Sequence, residues 1–422
     1  MPPPNHNAAG LETQVQFSRR ALCIFAILLV VPWLIVVLWF AFPQLNVRST
    51  ATAGSPSADN EYIFNARPGP WGDLLFSRIL IEPPDEFAEP AIDDQPLAPW
   101  TFPGYSEEML AALWRESGLP PEQIATLAHA TSATADALVV QPPPEVVMTM
   151  NAATRARIYS VLSQWEINLA QAEPFRFRAD SEDEWFADSR LSPATLALVK
   201  PLLYRRGNSL LFSDYAYLQR LVPSREERRF ILKTLARKAT LLVRLRLSPS
   251  SDVATIARYW ERGPRRKAIA ALLESVSNRP QGLTIDIAHL LPQFARAHLF
   301  TYPAPAAPGV NANRDCHWSS LNFFNDDPDE RFADTGFVKR TLENDYRPVT
   351  DRPLLGDVLV FTRPDGGVIH SCVYVADDIV FTKNGGSEAM PWILMNLADV
   401  VAFYPSDPAL TIQAYRRQDL PP

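Results

Sequence analysis

At 422 residues the chain is long enough for two or three domains, and 47% apolar residues supply a sizeable core. A net charge of -7 argues against a nucleic-acid partner for the chain as a whole, and three cysteines, Cys23, Cys316 and Cys372, are too few for a disulfide-stapled scaffold. Proline, at 39 residues, favours extended linkers and short elements over one long bundle.

Residues 1–20 read as a cytoplasmic tail. Ala21 to Phe42 is a continuous apolar run without a charge. At about 1.5 Å per residue, a helix of this length reaches about 30 Å, the thickness of the hydrocarbon core. Arg19 and Arg20 precede it and only Arg48 follows closely. The asymmetry predicts a single-pass helix at 21–42 in the cytoplasmic (inner) membrane, with the N-terminus cytoplasmic and the later domains periplasmic or extracellular. The lipid bilayer is then a partner through residues 21–42. The run is longer than the apolar region of a cleavable signal peptide, and Ala51-Thr52-Ala53 lies well past its end, so the expectation is an uncleaved signal anchor.

Residues 43–105 read as a proline-rich tether. Within it Trp71, Leu74, Leu75, Phe76, Ile79 and Leu80 form an apolar cluster, expected to dock on the following domain, with a short helix lying on the membrane as the alternative. Residues 106–300 read as a mainly helical domain with short strands. Pro121 is pre-set for a first helical turn, Asn151 is a candidate N-cap, Ser192 precedes Pro193, and Ser224 to Glu227 has capping-box spacing. Ala137 to Met150 reads as two short strands around Pro142-Pro143-Pro144, and Leu241 to Leu247 alternates like a strand. Fourteen basic and four acidic residues lie between Arg220 and Lys267. They read as a solvated face spread over several helices, with a cationic surface toward phospholipid or an anionic wall polymer as the alternative.

The chemistry concentrates in the last part, 301–422. Asp315 is a good N-cap, and CHWSSLNFF after it continues as a helix with Cys316 in the first turn, where unsatisfied N–H groups favour a thiolate. Asp315 opposes this with its own charge, so a neighbouring base is needed. His370 is the candidate base. Val358 to Phe361 reads as a short buried strand, Pro364-Asp365-Gly366-Gly367 as a turn, Val368 to Val375 as the return strand, and Ile379 to Lys383 as a third. A nucleophile helix packed on this meander brings cysteine and histidine together. Asn384, at the end of the third strand, is the candidate to orient the ring through its side-chain carbonyl, and Thr382 on the same face competes for that role.

The segments DCHWSSLNFF, GDVLVF, HSCVYVADD and VFTKNG resemble the NlpC/P60 family of papain-like cysteine hydrolases. The resemblance covers roughly the last quarter of the chain. It implies a papain-like helix-on-antiparallel-sheet domain, Cys316 as nucleophile, His370 as general base and Asn384 as orienting residue. It also implies cleavage of amide bonds, often in cell-wall peptides, without a cofactor. The chain departs from the family in carrying His317-Trp318 where Ser-Gly is usual, and ungapped counting from His370 puts the third residue at Thr382.

Other readings of the same residues stay open. Cys316 and His370 are alternatively a buried structural cysteine and a hydrogen-bonded strand histidine. A Cys316–Cys372 disulfide would abolish the nucleophile. Cys316, His317, His370 and Cys372 compose a zinc alternative, though adjacent residues at a helix start point about 100° apart. The resulting expectation is an α+β protein with one transmembrane helix, a mainly helical middle domain and a C-terminal hydrolase domain. A non-catalytic binding module and an acyltransferase using the same Cys–His pair are the functional alternatives.

Overall fold

The computed structural model describes residues 63–89, 92–93, 95–263, 269–304, 314–404 and 409–420. They belong to one compact unit, Ala51–Pro422. The expected membrane helix at 21–42 and the tail before it lie outside the described residues. Among the described residues no helix is long and apolar enough to cross a membrane. Sheets also run through the region expected to be mainly helical. Together these findings correct the expected architecture to α+β with several antiparallel sheets.

In chain order, β1 (Ile63–Asn65) and β2 (Asp73–Ile81) form a hairpin. A small sheet of order β3-β5-β4 follows, made of β3 (Trp100–Pro103), β4 (Thr131–Ala133) and β5 (Ala137–Val140). A second small sheet combines β6 (Phe175–Arg178), β7 (Tyr204–Arg206) and β8 (Ser209–Phe212) in the order β6-β8-β7. Next, β9 (Lys238–Leu247) and β10 (Leu283–Asp286) join the first hairpin in the order β1-β2-β9-β10. The last sheet holds β11 (Tyr346–Pro348), β12 (Val358–Thr362), β13 (Val368–Ala376), β14 (Ile379–Lys383), β15 (Trp392–Asn396) and β16 (Thr411–Arg417), ordered β11-β16-β12-β13-β14-β15.

The tether expectation fails for residues 73–81. That segment is β2, paired with β9 without a break from Asp73 opposite Arg246 to Ile81 opposite Lys238. Period-two patterning explains the pairing. Leu241, Val243, Leu245 and Leu247 face inward, Arg244 and Arg246 face out, and Arg246 meets Asp73 at 2.7 Å. The basic run is likewise engaged. Arg225 and Arg229 both pair with Glu89, Lys233 with Asp85, and Arg237 with Glu82, all acids of the preceding segment.

One apolar core runs from Trp71 through Val243, Trp260 and Phe294 into Trp318, Val373, Phe381 and Leu394, so packing shows no break at residue 300. Thr240 on β9 closes the seam. Its hydroxyl accepts from Leu394 N and donates to Leu394 O, both at 3.1 Å, which satisfies the outer edge of β15. The other face of the last sheet packs Leu359, Cys372, Tyr374 and Val380 under the helix Leu397–Phe403.

Candidate active site

Cys316 opens the helix Cys316–Leu321, and the local sequence explains its position. Asp315 caps it, with Oδ1 accepting from the N–H groups of His317 and Trp318 at 2.9 Å each. Trp318 is fully buried against Phe294, His298 and Trp392. The Ser319 hydroxyl donates to Asp315 O at 2.6 Å and accepts from Trp392 Nε1 at 2.8 Å. From β13, the Ser371 hydroxyl donates to Cys316 O at 3.4 Å and takes the His317 Nδ1 proton at 2.9 Å. Burial lowers the pKa of His317 against the opposing pull of Asp315, so this ring is a neutral support for the helix. The helix has only six residues, so its end charge is small and activation of the thiol requires a base.

The Gly-Asp pair before β12 is structural. Gly356 has φ +89°, and a Cβ there would lie 2.0 Å from the Phe324 ring. Asp357 is fully buried, accepts from Leu354 N at 2.8 Å, and takes a bidentate pair from Arg416 at 2.9 and 2.7 Å.

His370 is fully buried on β13, opposite Phe361 of β12. Its ring stacks on Tyr404 at 4.5 Å and meets Phe361 edge-on at 5.2 Å. Nε2 lies 3.1 Å from the Thr382 hydroxyl, whose own proton goes to Asn384 Oδ1 at 3.1 Å. Asn384 Nδ2 sits 3.1 Å from Met395 Sδ. Since Asn384 Oδ1 only accepts, the hydroxyl accepts from His370 Nε2–H. The lone pair is therefore on Nδ1, which is buried and has no hydrogen-bond partner. The orienting contact expected from Asn384 is made by Thr382 instead, and Asn384 stands one bond further back.

The structure does not join Cys316 to His370 by a hydrogen bond. Strand alternation puts Ser371 and Val373 on the sheet face under the Cys316 helix, and His370 and Cys372 on the face under the helix Leu397–Phe403. The thiol nevertheless acts on groups of both faces. Burial pulls Lys383 down to about 8 while Cys316 is the strongest opposing influence. Burial pushes Tyr404 and Cys372 up, and in each Cys316 is the second cause. The Tyr404 hydroxyl, like His370 Nδ1, is buried and unpartnered. Two orphaned polar atoms on stacked rings within electrostatic reach of a thiol are unusual in a structural core.

Cys316 and Cys372 are both free, which removes the Cys316–Cys372 disulfide. Among the described residues no three His, Cys, Asp or Glu side chains are placed to share a metal ion, so the zinc alternative has no ligand set. Thr382 and Tyr404 are the residues whose contacts sequence reasoning underweighted. Thr382 was legible by counting from His370. Tyr404 gave no local signal, because it reaches His370 from an element 34 positions downstream in sequence.

A small cleft of about 70 Å³ opens beside the site. It is lined by Asn384, Met395 and Phe403 together with Arg176, Lys238 and Ser209. No family model matches the chain, and neither a curated protein nor a solved structure matches it significantly.

Proposed function

We propose that the chain is a cysteine hydrolase acting on amide bonds, with Cys316 as nucleophile, His370 as general base and Thr382 as the residue that orients the ring. The observation that carries this reading is the directed chain His370 Nε2–H to Thr382 Oγ1–H to Asn384 Oδ1, which leaves a buried, unpartnered lone pair on Nδ1. In the reaction, Nδ1 takes the thiol proton as sulfur attacks the amide carbonyl. The imidazolium then gives that proton to the leaving amine, and water hydrolyses the thioester to regenerate the thiol. Tyr404, whose hydroxyl is buried and unpartnered on the same stacked pair, is the proposed donor to the tetrahedral oxyanion. The resemblance of the DCHWSSLNFF, GDVLVF and HSCVYVADD segments to NlpC/P60 hydrolases supports the same reaction class and cell-wall peptides as substrates.

One observation favours a second reading, a binding module without turnover. Cys316 and His370 are 5% and 0% exposed, and no hydrogen bond links them. The hydrolase reading is preferred because the Cys316 thiol, although its helix lies on the other face of the sheet, acts electrostatically on Tyr404, the ring stacked on His370. The test is incubation of the full chain with purified wall peptides, acid quenching, and mass analysis of the Cys316 peptide. The hydrolase reading expects released amine and a thioester adduct on Cys316, both lost in Cys316→Ser and His370→Ala. Amine release that persists in Cys316→Ser, or peptide bound without any release, would assign the site to binding alone.

A further inference from the structure

The cleft beside the candidate site has an uncompensated charge. Four cations line it, Arg78, Arg176, Arg178 and Lys238, against one carboxylate, Asp399. Arg78 faces Asp399 at 3.8 Å, and Arg178 pairs with Asp180 at 3.1 Å. Among the described residues Arg176 and Lys238 have no carboxylate partner. Arg176 donates one N–H to Phe403 O at 2.7 Å and lies over the Phe403 ring at 4.1 Å. Lys238 is 6% exposed, and its ammonium has a single acceptor, Arg176 O, at 2.9 Å. Two adjacent cations, one of them buried with a single acceptor, are costly unless an anion joins them.

We propose that Arg176 and Lys238 together bind an oxyanion, the carboxylate or phosphate group of a ligand seated in the cleft between β9, β15 and the β6-β8-β7 sheet. The planar guanidinium offers a fork to two oxygens, and the ammonium supplies a point charge from the side. The Phe403 ring under Arg176 holds the guanidinium in place. Asn384 and Met395 line the same cleft, so a ligand with its charged end at Arg176 meets the last sheet there. Burial holds Lys238 down to about 7, with Arg176 the second cause, as expected for a cation without a counter-charge in the empty cleft.

The test uses the full chain in chloride buffer, with sodium acetate and sodium phosphate added in separate titrations at constant ionic strength. The readouts are the unfolding temperature and the rate at which acetic anhydride acylates Lys238, followed by peptide mass. The proposal expects one of the two anions to raise the unfolding temperature saturably and to protect Lys238. Acetate acting alone identifies a carboxylate ligand, and phosphate acting alone identifies a phosphate. In Lys238→Met and Arg176→Met the apparent affinity falls about tenfold or more, while Lys238→Arg retains it. The protection readout needs no variant and stands if a substitution fails to fold. The proposal is overturned if neither anion does more than chloride, or if both variants keep the wild-type response. The result is independent of Cys316 chemistry, so failure here leaves the hydrolase reading standing and the reverse also holds.

Discussion

The Thr382 hydroxyl sits 3.1 Å from His370 Nε2 and thereby decides which ring nitrogen carries the lone pair. The decision is made one bond away, because Asn384 Oδ1 has no proton to give and takes the one on Thr382. A hydroxyl is thus used as a one-way relay between a carbonyl and an imidazole. Thr382→Val keeps the shape and removes the relay. It is expected to slow alkylation of Cys316 by iodoacetamide about tenfold, the worth of roughly one hydrogen bond, while Thr382→Ser restores the rate. Asn384→Ala is expected to have a smaller effect, since it lies behind the hydroxyl. Alkylation rates by peptide mass check all three. Loss of rate in Asn384→Ala but not in Thr382→Val would reverse the assignment.

The local signals in the sequence mark what depends on neighbours a few positions away. The Asp315, Asn151, Ser192 and Ser224 caps each accept the N–H two or three residues on, because short polar side chains compete for those donors wherever they occur. The meander β12, β13, β14 follows from apolar runs separated by Pro364 to Gly367 and by Asp377-Asp378. The pairing of β2 with β9 was not legible, since the partners lie about 160 to 170 positions apart and prolines around β2 resemble a linker. Pro142-Pro143-Pro144 misled in another way. Pro144 occupies the first turn of a helix, Pro144–Thr149, where a second strand was expected. At the site, the helix start and the histidine strand were legible, but the sheet face on which each side chain lies required the three-dimensional pairing.

Lys238 gives the fold a pH signature. Its folded pKa is about 7, below the ordinary lysine value of 10.5, so between those values the unfolded chain binds the extra proton. Stability from this group therefore rises with pH across the window, by about 1.4 kcal/mol per pH unit, and the burial penalty is fully present below pH about 7. Lys238→Met removes the proton and the penalty. Urea unfolding at pH 7 and pH 9 is expected to show a flatter pH dependence in the variant, with the larger stability gain over wild type at pH 7. A gain that grows from pH 7 to pH 9 would contradict this sign.

Asp357 and Arg416 make a bidentate pair with both side chains buried, at 0% and 4% exposure. Removing the charge from one partner strands the other. Asp357→Asn is expected to cost about 3–5 kcal/mol, while Asp357→Leu with Arg416→Met costs less because only Arg262, 4.0 Å from the carboxylate, is then left without its partner. Denaturant midpoints of the single and double variants check this. Equal losses in both would mean that shape, not charge, holds the start of β12.

The central claim is that Cys316 is assisted by His370, and the most direct measurement compares the two buried cysteines within one molecule. The full chain is treated with iodoacetamide at pH 7, and the alkylation rates of Cys316 and Cys372 are followed by peptide mass, in wild type and in His370→Ala. Burial pushes the Cys372 thiol up and keeps it slow, which makes it an internal reference. The account predicts that Cys316 reacts about 100-fold faster than Cys372 and loses most of that advantage in His370→Ala. Equal, slow labelling of both cysteines, or a fast Cys316 indifferent to His370→Ala, would contradict it.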